Sequence, residues 1–183
     1  MVAPPEAVFV APERRAIEPL IHAPQSIEAA RVSRIRVVDD AVLARGEIDA
    51  LLTRNNVGRI AYAFKDRVDI EPINYVYKDG WVYCRTSHGV KFETMERRRW
   101  VAFEVDEVRG LFDWQSVVVH GAAYVLKADS PEDERKAFTP GLELLKRLMP
   151  GTLDGDDPVP FRQVVFRIHL DEVSGRESKS PPG

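Results

Sequence analysis

Cysteine is almost missing from this sequence, with Cys84 the single one among 183 residues. One cysteine cannot form an intrachain disulfide, and together with four scattered histidines it gives no zinc-ligand pattern. Positive charge is not in excess, since the formal net charge is −3, which argues against a nucleic-acid or anionic-membrane partner. No stretch reaches the ~18 apolar residues of a membrane span, and the N-terminus lacks a basic start followed by an apolar core. These absences predict a soluble cytoplasmic protein without a metal site.

The motifs of several common enzyme classes are also absent. The chain contains no GxGxxG, Walker A, GxSxG, HExxH or CxxC motif, which argues against most Rossmann and hydrolase folds. The acidic segment 154–157 lacks the residue order of a calcium-binding loop. We therefore expect this segment to be a plain solvated loop.

Proline distinguishes the start of the chain from the rest. Five of the 13 prolines fall within residues 1–38, among mixed charges, which discourages both helices and sheet pairing. We expect an extended or disordered arm there, either solvated or wrapped around a partner subunit. Residues 178–183 predict a similar tail. The residues between them, 39–177, suffice for one domain with a substantial core.

Most apolar residues of this domain follow strand patterns with short connections. The predicted strands cover residues 57–64, 68–77, 81–86, 100–105, 115–126 and 161–170. Helices are predicted from Asp39 to Arg54, over 90–98, and in two segments starting at Ser130 and at Thr139-Pro140, since proline interrupts a continuous helix. This pattern favours a mainly β fold, a small closed or split antiparallel β-barrel with added helices, over alternating βαβ units.

Three local signals refine the predicted strands. Asp79-Gly80 between two β-rich runs is typical of a hairpin turn. Pro72 removes a backbone donor from its strand, which predicts a sheet edge or a bulge with free backbone groups. Gly121, within the longest strand, predicts a bend.

A strand leads into a helix at the corner Arg85, Thr86, Ser87, His88, Gly89, Val90, Lys91. Free N–H groups and the helix dipole attract an anion at such a corner, and two hydroxyls and two cations would add to a phosphate cradle. The same spacing also fits an ordinary helix capped by Ser87 with Lys91 facing water. On spacing alone, the capped helix is the favoured interpretation.

The strand Pro72, Ile73, Asn74, Tyr75 precedes this corner in the predicted hairpin. Its free backbone groups could pair with the pyrimidine edge of a flavin ring, and Asn74 could add a polar contact. The alternative is a bulged edge strand. Trp114 and Ser116 could likewise supply an aromatic wall and a hydrogen bond, or belong to the core.

Taken in order, these motifs resemble the flavin-binding proteins of the pyridoxamine 5′-phosphate oxidase type, specifically the branch with the nitroimidazole-resistance proteins. The resemblance covers roughly residues 40–176 and rests on the ordered set of motifs more than on any one of them. The set comprises Val57-Gly58-Arg59-Ile60, Glu71 to Tyr75, Val82 to Ser87 with Gly89 and Lys91, Val101 to Val105, Trp114 to Val119 with Gly121, Phe166-Arg167-Ile168 and Val173 to Arg176.

The resemblance implies a split β-barrel homodimer that binds FMN near the subunit interface. The phosphate would be held by Arg85, Thr86, Ser87 and Lys91, and the ring would lie along Pro72, Ile73, Asn74 and Tyr75. Trp114 and Ser116 match positions near the cofactor, from one subunit or the other. Relatives also bind deazaflavin F420 or haem, so these are the alternative cofactors.

The implied activity is that of a flavin-dependent oxidoreductase acting on a small molecule, and the alternative is a carrier or sensor without turnover. No side chain stands out from the sequence as a catalytic acid or base. Two departures bear on the substrate. Nitroimidazole-resistance proteins typically carry histidine where this chain has Arg85, and the C-terminal substrate segment of true pyridoxamine-phosphate oxidases has no match here.

Overall fold

A computed structural model of the chain describes residues 41–128 and 132–179. The arm expected over residues 1–38 lies outside these ranges, as do residues 180–183 of the expected tail. Within the described ranges, the helices are either too short or too polar to cross a membrane.

The described residues form mainly antiparallel strands, with three helices added. The strands are β1 Ala41–Val42, β2 Val57–Phe64, β3 Arg67–Lys78, β4 Trp81–Thr86, β5 Trp100–Gly110, β6 Asp113–Leu126, β7 Val164–His169 and β8 Glu172–Ser178. The helices are α1 Arg45–Arg54, α2 Val90–Arg97 and α3 Glu132–Leu148.

Six of the strands close into a barrel, which confirms the expected fold class. The sheet order is β1-β8-β6-β5-β2-β3-β4-β7, and an additional pairing of β6 with β7 closes the ring. Strands β8 and β1 extend the sheet beyond β6. The β3–β4 hairpin turns through Asp79 and Gly80, with φ of 49° and 80°, as expected for this dipeptide.

Strand β6 changes partners at Gly121, where the sequence predicts a bend. Before this residue β6 pairs with β8, and from Ala123 onward it pairs with β7. A Cβ atom at Gly121 would lie 1.8 Å from the carbonyl oxygen of His169. Only glycine therefore lets β6 approach the end of β7 closely enough for the barrel to close.

Two hydrophobic clusters of the described residues stabilise the fold. The barrel interior holds the larger cluster, which includes Leu51 and Leu52 of α1 and the fully buried Tyr75, Phe103 and Phe166. The second cluster lies where α3 packs on the barrel and includes Tyr83, Leu126, Ala137, Leu145 and Val165. The end of β4 is thus fixed by packing on both of its faces.

The structure corrects the predicted helix boundaries at two places. Helix α1 begins at Arg45, because Ala41 and Val42 pair with the unpredicted strand β8 instead of forming a first turn. Helix α3 continues through Pro140 as one helix. Proline costs it one backbone hydrogen bond, but packing of Ala137 and Leu145 on the barrel spans the interruption.

The structure also corrects the C-terminal boundaries. The predicted strand 161–170 is shorter, Val164–His169, and is followed by β8, whose last residue Ser178 was expected to belong to the tail. Strand β8 was missed because Ser174 and Gly175 interrupt its apolar alternation. Its pairing with β6, rather than its own hydrophobicity, keeps it in the sheet.

Candidate functional site

The N-terminus of α2 lies directly after β4 and no side chain caps it. Gly89 is the N-cap residue, with φ 156° and ψ −169°, a conformation that is almost restricted to glycine. The first helical hydrogen bond runs from Glu93 N–H to Gly89 C=O, which leaves three preceding N–H groups without a helical acceptor. The expected alternative, a helix capped by Ser87, is therefore wrong. The N-terminus keeps its capacity to bind an anion.

The hydroxyls of Thr86 and Ser87 approach this N-terminus from the strand side. Thr86 is 5% exposed and Ser87 is partly buried. Within the part of the chain that the structure describes, neither hydroxyl has a hydrogen-bond partner. The space beside Gly89 is open, since a Cβ atom there would meet nothing within 4 Å. Free N–H groups, free hydroxyls and open space together fit a phosphate monoester.

Lys91 is the second residue of α2 and is paired with Glu71 of β3. Its Nζ atom is 2.9 Å from Glu71 Oε2, and the Lys91 side chain is 12% exposed. Glu71 also accepts a hydrogen bond from the Tyr62 hydroxyl. The hydrogen bond from Lys91, followed by that from Tyr62, holds the pKa of Glu71 below its ordinary value. The ammonium group is thus oriented near the corner by an acceptor that stays ionised.

Arg85 is buried and forms an ion pair with Asp157. Its Nη1 and Nη2 atoms lie 2.5 and 2.7 Å from the two carboxylate oxygens, and the side chains are 4% and 2% exposed. The same carboxylate accepts backbone N–H bonds from Leu153 and Val159, at 2.8 and 2.9 Å. The guanidinium of Arg85, with support from these N–H groups, keeps the pKa of Asp157 well below its ordinary value.

This ion pair corrects the expectation of a plain solvated loop at 154–157. Asp157 is one of the most buried side chains near the corner, although its neighbours Asp154 and Asp156 are exposed or partly exposed. The pair ties the segment after α3 to the end of β4, and it already compensates the charge of Arg85. Since 72 residues separate the partners, no local sequence signal could have identified them.

Among the described residues, strand β3 has no pairing partner on one side at Pro72 and Asn74, and this side is called its free edge. Its pairing with β2 is continuous from Arg67 to Asn74, whereas its pairing with β4 begins only at Tyr75. The Tyr75 N–H donates to Asn56 C=O on the β2 side, so alternation directs the backbone groups of Pro72 and Asn74 to the unpaired side. The sequence predicts either a sheet edge or a bulge at Pro72. The structure shows the edge, and the pairing of β3 with β2 has no register shift there.

The other two residues of this segment face the core. Ile73 is 4% exposed and Tyr75 is fully buried, with its hydroxyl donating to Leu52 C=O at 2.8 Å. Their side chains cannot reach a ligand outside the barrel. Any contact with a ring along β3 would come from backbone groups and from Pro72 and Asn74.

Arg162 approaches the same edge and was not singled out from the sequence. Its Nη1 atom lies 3.4 Å from Asn74 Oδ1, and its guanidinium lies 5.8 Å from the ring centre of Phe161. Within the described residues it has no carboxylate partner. Arg162 lies in the turn-rich segment after α3 and belongs to no recognisable motif, so no signal in the sequence indicated it.

Trp114 and Ser116 lie elsewhere on the sheet. Trp114 pairs with Val108 of β5 and Ser178 of β8, and the Ser116 hydroxyl donates to Glu104 at 3.1 Å. Both lie in the first half of β6, which pairs with β5 and β8, whereas β7, the neighbour of β4, pairs with β6 only from Ala123 onward. Within this chain, the structure therefore brings together the expected residues of β3, β4 and α2, but not Trp114 and Ser116.

The site offers few groups for acid-base or metal chemistry. No cluster of three potential metal ligands occurs among the described residues. Cys84 is a free thiol buried beside the corner, and burial raises its pKa above the ordinary value. A buried neutral thiol is a poor nucleophile, so the arrangement is better suited to binding than to covalent catalysis.

Comparison with known proteins gives a family match over most of the chain. The family model described as pyridoxamine 5′-phosphate oxidase matches residues 44–177. No curated protein matches the sequence.

Several solved structures are similar to the chain. A FAD-binding protein from Mesorhizobium loti is 28% identical, with a TM-score of 0.62, covering 79% of this chain and all of that one. A FAD and haem binding protein from Mycobacterium smegmatis is 16% identical, with a TM-score of 0.57 and coverage of 79% and 75%. A proposed 5-nitroimidazole antibiotic resistance protein from Bacteroides thetaiotaomicron is 16% identical, with a TM-score of 0.56 and coverage of 77% and 89%. The last two show a shared fold.

Proposed function

Since the chain belongs to the pyridoxamine 5′-phosphate oxidase family, we propose that it binds FMN through the corner between β4 and α2. The main observation in support is the uncapped N-terminus of α2, which faces open space beside the free hydroxyls of Thr86 and Ser87. The name of the Mesorhizobium loti relative, a FAD-binding protein, supports a flavin. FMN and FAD share the phosphate next to the ribityl chain, and this corner has the donors to hold it.

Each residue of the corner has a distinct part in this proposal. The N–H groups of α2 and the two hydroxyls hold the phosphate, and Lys91 adds a cation oriented by Glu71. Arg85 acts indirectly, because its charge is compensated by Asp157. Its part is to hold the segment after α3 against the end of β4. The flavin ring lies along the free edge of β3, next to Pro72 and Asn74.

We further propose that the protein is a cytoplasmic flavin-dependent oxidoreductase acting on a small molecule. A bound flavin supplies the capacity to accept and donate electrons, and the protein supplies position and electrostatics. This division fits a site whose titratable groups are already engaged, since Glu71 is held by Lys91 and Tyr62, Asp157 is held by Arg85, and the Cys84 thiol is buried. Neither a nucleic acid nor a membrane is needed for such a reaction.

We propose a homodimer as the functional unit. The side chains of Val57, Val68 and Ile70 are 60 to 65% exposed on the outer face of β2 and β3. Apolar side chains exposed to water do not stabilise an isolated chain, and a group of them is typical of an interaction surface. A second copy packed on this face would cover them. It would also provide Trp114 and Ser116, which this chain cannot bring to its own corner.

The test of the proposed function is identification of the bound cofactor. The protein is purified without added cofactor, the released small molecules are analysed by mass spectrometry, and the apoprotein is titrated with FMN, FAD and riboflavin. We expect FMN to bind more tightly than riboflavin, because only FMN carries the phosphate. Equal affinity for the two would contradict the phosphate site. NADH or NADPH that bleaches the flavin would support an oxidoreductase over a carrier.

Haem is the second candidate ligand, favoured by the name of the Mycobacterium smegmatis neighbour. A Soret band in the purified protein, without flavin absorbance, would select it. Deazaflavin F420 carries a similar ring and phosphate, and mass spectrometry distinguishes it from FMN. Flavin binding without turnover over a broad screen of acceptors would identify a carrier or sensor.

A further inference from the structure

In the described part of the chain, three cations lie beside the proposed flavin site, and their charges are compensated to different degrees. Arg85 shares two short contacts with Asp157 in a buried pair. Lys91 is paired with Glu71 at 2.9 Å. Arg162 has no carboxylate partner within the described part of the chain. Arg162 is therefore the cation with the largest uncompensated charge at this site.

The position of Arg162 is fixed by a chain of contacts that begins at Arg85. Asp157, held by Arg85, accepts the N–H of Val159 at 2.9 Å. Val159 in turn accepts the N–H of Arg162 at 3.0 Å. The side chain of Arg162 is partly buried and extends to Asn74 on the free edge of β3. A loop arginine is thus directed at the strand along which the ring is proposed to lie.

A cation at this edge has a specific consequence for a flavin. A flavin bound here would gain one net negative charge, on the pyrimidine part of its ring, when it takes up two electrons and one proton. Protein charge near this part of the ring changes the relative affinity for the two oxidation states. A partly buried cation acts more strongly than an exposed one, because water screens it less.

We propose that Arg162 faces the flavin ring and raises the reduction potential of the bound cofactor. This inference rests on the proposed function. Asn74 keeps the guanidinium at the β3 edge, and the Arg85–Asp157 pair holds the segment that carries it. Arg162 is in this sense a tuning residue of the site, and Arg85 is a positioning residue.

The test compares Arg162→Met with Arg162→Lys and with the wild-type protein, all loaded with FMN. Met keeps the apolar stem and removes the charge, whereas Lys keeps a charge. Arg135→Gln is the matched control, because Arg135 is an exposed arginine of α3 without an ion pair in the described residues. The midpoint potential is measured by titration with dithionite, which supplies the electrons, and the dissociation constant of oxidised FMN by fluorescence.

We expect Arg162→Met to lose about tenfold in preference for reduced over oxidised FMN, which corresponds to a potential about 30 mV more negative for a two-electron couple. Arg162→Lys should recover most of the shift, and Arg135→Gln should show none. A potential that is unchanged in Arg162→Met with FMN bound would overturn the inference and leave the proposed function standing. A wild-type protein that binds no flavin would overturn both.

Discussion

The guanidinium of Arg85 and the carboxylate of Asp157 form a two-point ion pair, at 2.5 and 2.7 Å, with both side chains at most 4% exposed. The pair joins the end of β4 to the segment that follows α3. Arg85, which the sequence places at a phosphate site, thus holds the segment after α3 against the end of β4. In the proposed site, Arg85 therefore keeps the binding groups in place, whereas the N–H groups of α2 and the hydroxyls of Thr86 and Ser87 would contact the phosphate.

Asp157→Ala should destabilise the protein strongly, because it leaves the Arg85 guanidinium buried without a partner. We expect a much lower midpoint of urea unfolding than in the wild-type protein. Glu132→Ala is the control, since Glu132 and Lys136 form an exposed i,i+4 pair with 68% and 67% exposed side chains. Exposed pairs contribute little to stability. Similar midpoints for the two variants would mean that burial of the Arg85–Asp157 pair has no energetic consequence.

Glu107 should make stability depend on pH in the acid range. Arg54 donates to it at 2.6 and 3.0 Å and Asn55 at 2.7 Å, and these bonds, with Arg54 first, lower the pKa of Glu107 to about 2. The stabilisation is fully present above the unfolded pKa of about 4.3 and is lost as pH falls toward the folded value. Glu107→Gln should therefore show a smaller decrease in unfolding free energy between pH 5 and pH 3. Parallel pH profiles for the two proteins would contradict this assignment.

Lys91→Ala should weaken FMN binding more than riboflavin binding. A charge-assisted hydrogen bond contributes about 1.5 kcal/mol or more, so we expect about a tenfold loss in FMN affinity. Riboflavin lacks the phosphate, and its affinity should change little. The two titrations control for general damage to the fold, including the loss of the contact with Glu71. An equal loss for both ligands would assign Lys91 to structure alone.

Gly89→Ala tests the conformation that leaves the α2 N-terminus open. Gly89 adopts φ 156° and ψ −169°, and forcing a residue with a Cβ atom into this region costs about 1–3 kcal/mol. No steric clash contributes, since nothing lies within 4 Å of the added atom. Gly46→Ala is the matched control, because Gly46 is a helical residue of α1 with equally open surroundings, and alanine should stabilise it slightly. The free energy of unfolding of both variants is measured in urea. If it changes in the same direction for Gly89→Ala and Gly46→Ala, the backbone conformation of Gly89 does not explain the effect.

Local sequence signals account for much of the barrel and of the corner. Asp79-Gly80 predicts its turn because both residues tolerate a positive φ, and Pro72 predicts a sheet edge because it lacks an N–H group. Strand β8 could not be predicted from its own residues, since its place depends on pairing with β6.

The remaining parts of the site depend on contacts between residues far apart in the chain. Asp157 and Arg162 lie in a segment of turns, and neither has a local pattern that indicates its partner on β3 or β4. Sequence spacing alone likewise favoured Ser87 as the cap of α2, which the structure does not show. The conformation of Gly89, which excludes Ser87 as the N-cap, emerged only from the folded backbone.

Ile70→Glu should convert the proposed dimer to a monomer. Ile70 is 65% exposed and pairs with Ala61 of β2, on the outer face that also carries Val57 and Val68. A carboxylate buried between two apolar faces without a partner strongly disfavours association. Leu111→Glu is the control, because Leu111 is 81% exposed in the β5–β6 turn, away from this face. Light scattering after size exclusion should show a monomer for Ile70→Glu and a dimer for the control. If both variants remain dimers, the outer face of β2 and β3 is not the interface. The proposal that a partner packed on this face supplies Trp114 and Ser116 would then also be wrong.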